Sequence, residues 1–140
     1  MGTSKKIRTA QSCASDARQA VEELHAGIAQ EDMAVVVFFC SSGYDREALA
    51  DEMNRQFPGV QVVGCTTAGE IGPLGYREQG LVGASFPAAT CSAVSGHLDH
   101  LQQFEIKQGL VLAQEMLGQL ESAAPAAGPD NIFAFLLIDG

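Results

Sequence analysis

Apolar positions along the first half of the chain switch between two spacings. In SCASDARQAVEELHAGIAQED, residues 12–32, Cys13, Ala17, Ala20, Val21, Leu24 and Ile28 fall three and four residues apart. That spacing predicts one apolar face of a helix, with Ser12 or Ser15 placed to cap it. AVVVFFC, residues 34–40, is instead a continuous β-branched and aromatic run, which predicts a strand buried on both faces. Next, Ala48, Leu49, Met53 and Phe57 form a second helical stripe, stopped by Pro58-Gly59. VQVVG, residues 60–64, predicts another short strand. Strand, helix and strand within about 30 residues make a βαβ unit, with parallel strands and a right-handed crossover.

Beyond a glycine-rich segment the rhythm changes. GLVGASF (80–86) and TCSAVSG (90–96), separated by PAA, predict an antiparallel hairpin over residues 80–96. Residues 97–104 are polar and decide nothing. FEIKQGLVLAQEMLGQLESA carries Phe104, Leu110, Leu112, Ala113, Leu117 and Leu120 at helical spacing, weakened by Gly109. APAAGPD is a turn or short linker. NIFAFLLIDG, residues 131–140, reads as a core strand ending in Asp139-Gly140, the kind of end that leads into a ligand-binding loop. The expected fold is α/β: βαβ units in a mixed β-sheet flanked by helices, with an antiparallel hairpin. One domain is expected over 1–140, with 1–11 disordered or flexible and 12–140 folded, forming the first part of a larger protein.

Composition narrows the function. The chain of 140 residues is long enough to bury roughly 70% of its unfolded surface. A net charge of −9 argues against non-specific nucleic-acid binding and against docking on an anionic membrane. The apolar run Ala34 to Cys40 has seven residues, far short of a ~18-residue membrane span. MGTSKKIRTAQS is charged but has no apolar segment behind it, so it is not a secretory signal; Lys6 also breaks the myristoylation pattern after Gly2. A cytoplasmic protein without membrane insertion is expected. Cys13, Cys40, Cys65 and Cys91 lie about 25 residues apart with no CxxC pair, which fits free thiols better than zinc or a disulfide framework.

Two segments sit where ligands collect in α/β sheets, outside the carboxyl ends of strands. One is Ser41-Ser42-Gly43 after Cys40; the other is Cys65-Thr66-Thr67-Ala68-Gly69-Glu70. Small residues let a ligand approach the backbone, hydroxyls donate and accept, and N–H groups at a helix start favour an anion. Glu70 would pair with an ammonium group, so the set suits an amino acid or similar zwitterion. The same residue types are also ordinary caps and turns. A cysteine enzyme would need Cys40 or Cys65 beside a histidine, and neither segment contains one. HLDH, residues 97–100, spaces His97 and His100 to share a helical face, weak candidates for haem iron. GxSxG, GxxxxGK[ST] and GxGxxG are absent.

With these residues in view, VVVFFCSSGYDREALADEMNRQFPGVQVVGCTTAGEIGPLGYREQGLVGASF, residues 35–86, resembles the N-terminal domain of the FIST family of bacterial sensory proteins. VVGCTTAGEIGPLGY is its most specific piece, and the Cys65–Ile71 segment carries it. The resemblance implies a cytosolic sensory domain rather than an enzyme. It implies a small ligand, with amino acids a leading class, and signals passed to a histidine kinase, a cyclic-di-nucleotide enzyme or a chemotaxis receptor. A branch of the family binds haem and senses nitric oxide. The resemblance favours Cys65, Thr66, Thr67, Gly69 and Glu70 as the ligand cradle, and Ser41, Ser42 and Gly43 join them from their place at a strand end; no catalytic residue and no metal is expected.

Overall fold

The computed structural model describes residues 6–138. The chain divides into two compact units, Met1–Cys91 and Ser92–Gly140.

In the first unit the strands are β1 (Arg8–Ser12), β2 (Met33–Ser41), β3 (Gln61–Thr67), β4 (Glu70–Gly72), β5 (Gly75–Arg77) and β6 (Leu81–Pro87), with helices α1 (Ala17–Ile28) and α2 (Arg46–Gln56). The main sheet runs β1-β6-β2-β3. β2 and β3 are parallel, from Val35 opposite Gln61 to Ser41 opposite Thr67, as the βαβ reading predicts. β6 is antiparallel to both β2 and β1, so the sheet is mixed.

The apolar stripes dictate which face is covered. Ala17, Ala20, Val21, Leu24 and Ile28 of α1 and Leu49, Met53 and Phe57 of α2 are buried in one cluster with Val36, Cys40 and Leu81 of the sheet. At the seam, a Cβ on Gly83 would lie 3.2 Å from both methyls of Leu24 and 3.1 Å from the Val37 carbonyl, so glycine is what lets α1 come this close. The odd-numbered residues Val35, Val37 and Phe39 face away from that cluster and are only half-buried. The expectation of a strand buried on both faces therefore holds for one face.

Several local expectations are corrected. Asp16, not Ser12 or Ser15, caps α1, accepting from the Gln19 N–H at 2.9 Å. Cys13 lies before the helix and is exposed. Residues 8–11 belong to β1, whose RTAQS sequence lacks the alternation that announces a strand. Met1–Lys5 fall outside the described residues. There is an antiparallel hairpin, but it is β4–β5, pairing Glu70 with Arg77, Ile71 with Tyr76 and Gly72 with Gly75. Gly75 takes φ +84°, a value that favours glycine at this turn. No hairpin forms over 80–96, because β6 already spends one edge on β1 and the other on β2. Residues 91–96 are in no strand.

In the second unit, α3 (Ile106–Ala123) forms as its spacing predicts despite Gly109. The Glu105 N–H donates to the Gln108 side chain at 2.9 Å and fixes the start of the helix. Residues 131–138 are in no sheet, and Phe133, Phe135, Leu136 and Ile138 are exposed. An apolar run becomes a strand only when another strand pairs with it, and none of the described strands does. The end of that expected strand, Asp139-Gly140, lies outside the described residues.

Candidate functional site

Parallel pairing brings the carboxyl ends of β2 and β3 side by side, with Cys40 opposite Thr66 and Ser41 opposite Thr67. Ser41 is tied down on three sides. Its N–H donates to the Gly80 carbonyl at 2.9 Å, its carbonyl accepts from the Tyr44 N–H at 3.3 Å, and its hydroxyl accepts from the Gly43 N–H at 3.2 Å. A rigid turn at Ser41-Ser42-Gly43 results. The α2 start is capped by Asp45, whose carboxylate accepts from the N–H groups of Glu47 and Ala48.

On the β3 side, the Thr67 hydroxyl donates to Glu70 Oε1 at 2.8 Å. Glu70 is only 2% exposed, and its Oε2 is buried without a hydrogen-bond partner among the described residues. That oxygen lies 3.5 Å from where a Cβ on Gly80 would stand, and the Arg77 Cβ lies 3.7 Å from the same point. The hairpin carrying Glu70 is held to β1 by Gln11. Its amide donates to the Gly75 carbonyl at 3.2 Å and accepts from the Leu74 N–H at 3.0 Å.

An open concavity of about 610 Å³ lies over these strand ends, lined by Ser41, Ser42, Gly43, Ala68, Tyr76, Glu78 and Gln79. Tyr76 lies over Gly69: a Cβ there would come within 2.6 Å of the ring and of its hydroxyl oxygen.

A family model described as FIST N domain matches residues 34–140. The chain belongs to the FIST N domain family. No curated protein and no solved structure matches it. The family is one of sensory, small-ligand-binding domains in signalling and is not typically enzymatic. Among the described residues no helix is long and apolar enough to cross a membrane.

Within this FIST N domain the eight expected ligand residues separate. Ser41, Ser42 and Gly43 line the concavity. Thr67 and Glu70 sit behind it as a bonded pair, and Gly69 supports Tyr76. Cys65 is half-buried in register with Phe39, and Thr66 is exposed opposite Cys40; neither is a lining residue. Tyr76, Glu78 and Gln79 complete the wall and were not foreseen. The available signal was GYREQG itself, an aromatic held in a polar run just past a Gly-Pro-Leu-Gly turn.

The FIST N site also bears on thiol and metal chemistry. Burial, then the Glu70 carboxylate and Cys65, push the Cys40 thiol up to about 11, which keeps it protonated and poorly nucleophilic near neutrality. His25 packs edge-on against Phe57, with ring centroids 5.0 Å apart. His97 Nδ1 lies 3.5 Å from Asp99, and His100 adopts a left-handed backbone ahead of a 3-10 turn at Leu101–Gln103, so HLDH lies on no helical face. Among the described residues no three His, Cys, Asp or Glu groups are gathered to hold a metal.

Proposed function

We propose that this FIST N domain is a small-molecule sensory module whose site is the concavity at the ends of β2 and β3. Its ligand carries an ammonium group, as an amino acid does. The observation that carries this reading is the Glu70 carboxylate, buried beside the concavity with one oxygen unpartnered. Leaving a buried carboxylate oxygen without a donor is costly, and a bound cation offsets that cost.

The route for a signal is the β4–β5 hairpin. Tyr76 forms part of the wall, and Glu70 roots the hairpin in the sheet through Thr67. A ligand that favours one setting of the hairpin over another changes the surface offered to a partner, and only that difference in affinity transmits anything. A histidine kinase, a cyclic-di-nucleotide enzyme or a chemotaxis receptor is the proposed class of partner, and the cytoplasm the proposed setting. The haem and nitric-oxide reading has weaker support, since His97 is engaged with Asp99 and shares no helical face with His100.

The test is a thermal-unfolding screen with amino acids and haemin. At a hundredfold excess over the dissociation constant a true ligand adds about 2.7 kcal/mol of stability. The reading requires an amino acid or amine to raise the transition and Glu70→Gln to abolish that rise. A retained haemin Soret band lost in His97→Ala or His100→Ala would transfer the case to haem.

A further inference from the structure

We infer that the ligand of this site is a small organic cation recognised without a free carboxylate: an amine rather than an amino acid. The inference rests on the proposed site and specifies its ligand class. Three observations carry it.

The first is the charge of the lining. Among its seven residues the only ionisable groups are the Glu78 carboxylate and the Tyr76 phenol, and there is no Lys, Arg or His. Arg77, next in sequence, turns its guanidinium to the Tyr76 carbonyl at 2.9 Å and is not a lining residue. The second is Glu70, whose buried carboxylate adds negative potential from beside Gly80, the acceptor of the Ser41 N–H, where screening by water is weak. Tyr76 supplies an aromatic ring, half-exposed on the wall, and a cation over a ring face is attracted by its quadrupole.

The third observation disfavours the anion half of the zwitterion. Five backbone donors around this helix start are already engaged. Asp45 takes the N–H groups of Glu47 and Ala48, Ser41 takes those of Gly43 and Tyr44, and Gly80 takes that of Ser41. Asp45, the cap of α2, also sets a negative charge at that helix start, which opposes an anion there. An α-carboxylate in the concavity would meet Glu78 with no Lys, Arg or His among the lining residues to offset it.

Titration calorimetry of this chain with matched pairs tests the inference: arginine against agmatine and lysine against cadaverine, which differ by the α-carboxylate. The expected result is that each amine binds about tenfold more tightly than its amino acid at low ionic strength, the gap narrowing as salt is added. Glu78→Gln, an exposed and structurally undemanding change, is expected to weaken the amines about fivefold, and Tyr76→Ala to weaken them further. Amino acids binding as tightly as their amines would overturn the inference and leave the sensory site standing. Binding by neither member of either pair overturns both.

Discussion

Thr67 donates its hydroxyl to one oxygen of Glu70 at 2.8 Å, while the other oxygen of that carboxylate is buried with no partner among the described residues. The pair spans the turn between β3 and β4, so it joins the parallel βαβ unit to the hairpin that forms the outer wall of the concavity. A half-satisfied buried charge weakens the unliganded fold. It also gives a cation something to relieve, and that difference between free and bound states is what a sensor needs.

Replacing Glu70 by Gln should separate the two roles. Glutamine keeps the shape and the acceptor for Thr67, removes the buried charge and adds donors. The expected outcome by urea unfolding is an unliganded protein equal to the parent or more stable by about 1 kcal/mol, with its response to amines lost. A destabilisation above about 2 kcal/mol would show that the carboxylate is well paired and the site assignment wrong.

Thr67→Val keeps volume and removes the donor, leaving both Glu70 oxygens unpaired. A loss of about 1–3 kcal/mol is expected, reduced by roughly half when Glu70→Gln is already present, because the amide oxygen still accepts from Thr67 without the charge. Equal losses in both backgrounds would mean that the Glu70 charge adds nothing to the Thr67 bond.

Much of this arrangement is legible in the chain because burial and local rules agree there. The stripes of α1 and α2 and the apolar run of β2 each have one workable partner, and the short α2 link forces β2 and β3 parallel. β1 is not legible, since Gln11 and Thr9 earn their place by edge pairing and by clamping the hairpin turn, which no hydrophobic pattern encodes. TCSAVSG reads as a strand on propensity and fails because β6 has no free edge. Ser41, Ser42 and Gly43 reach the concavity because they follow β2, a place the apolar run announces. Tyr76 and Glu78 reach it through a hairpin whose residues no hydrophobic pattern marks.

Gly69→Ala tests the wall itself. The added methyl collides with the Tyr76 ring, a half-exposed side chain that can swing away. The stability cost should therefore stay below about 1 kcal/mol, while ligand binding falls. Tyrosine fluorescence, compared with a Tyr44→Phe background, would report the displaced ring. Unchanged binding with a displaced ring would remove Tyr76 from the site.

Alkaline pH should weaken the fold through Cys40 and Tyr44. The buried Cys40 thiol is raised from its ordinary 9.0 to about 11, and the Tyr44 phenol, 9% exposed and donating to the Ala14 carbonyl at 2.6 Å, from 10.0 to about 12. Burial is the leading cause for both. In each case the folded state holds its proton after the unfolded state has released it. The stabilisation is thus complete below the unfolded value and is lost as pH rises toward the folded one. For Cys40 the window is 9 to 11 and the loss about 2–3 kcal/mol; for Tyr44 it runs from 10 to 12. Urea midpoints measured across pH 8–12 should fall through both windows. Cys40→Ala is expected to flatten the lower part of the fall and Tyr44→Phe the upper part, whatever each does to stability at pH 7. A parent protein whose midpoint stays level from pH 9 to 11 would show that the thiol ionises as readily folded as unfolded, reopening Cys40 as a reactive group.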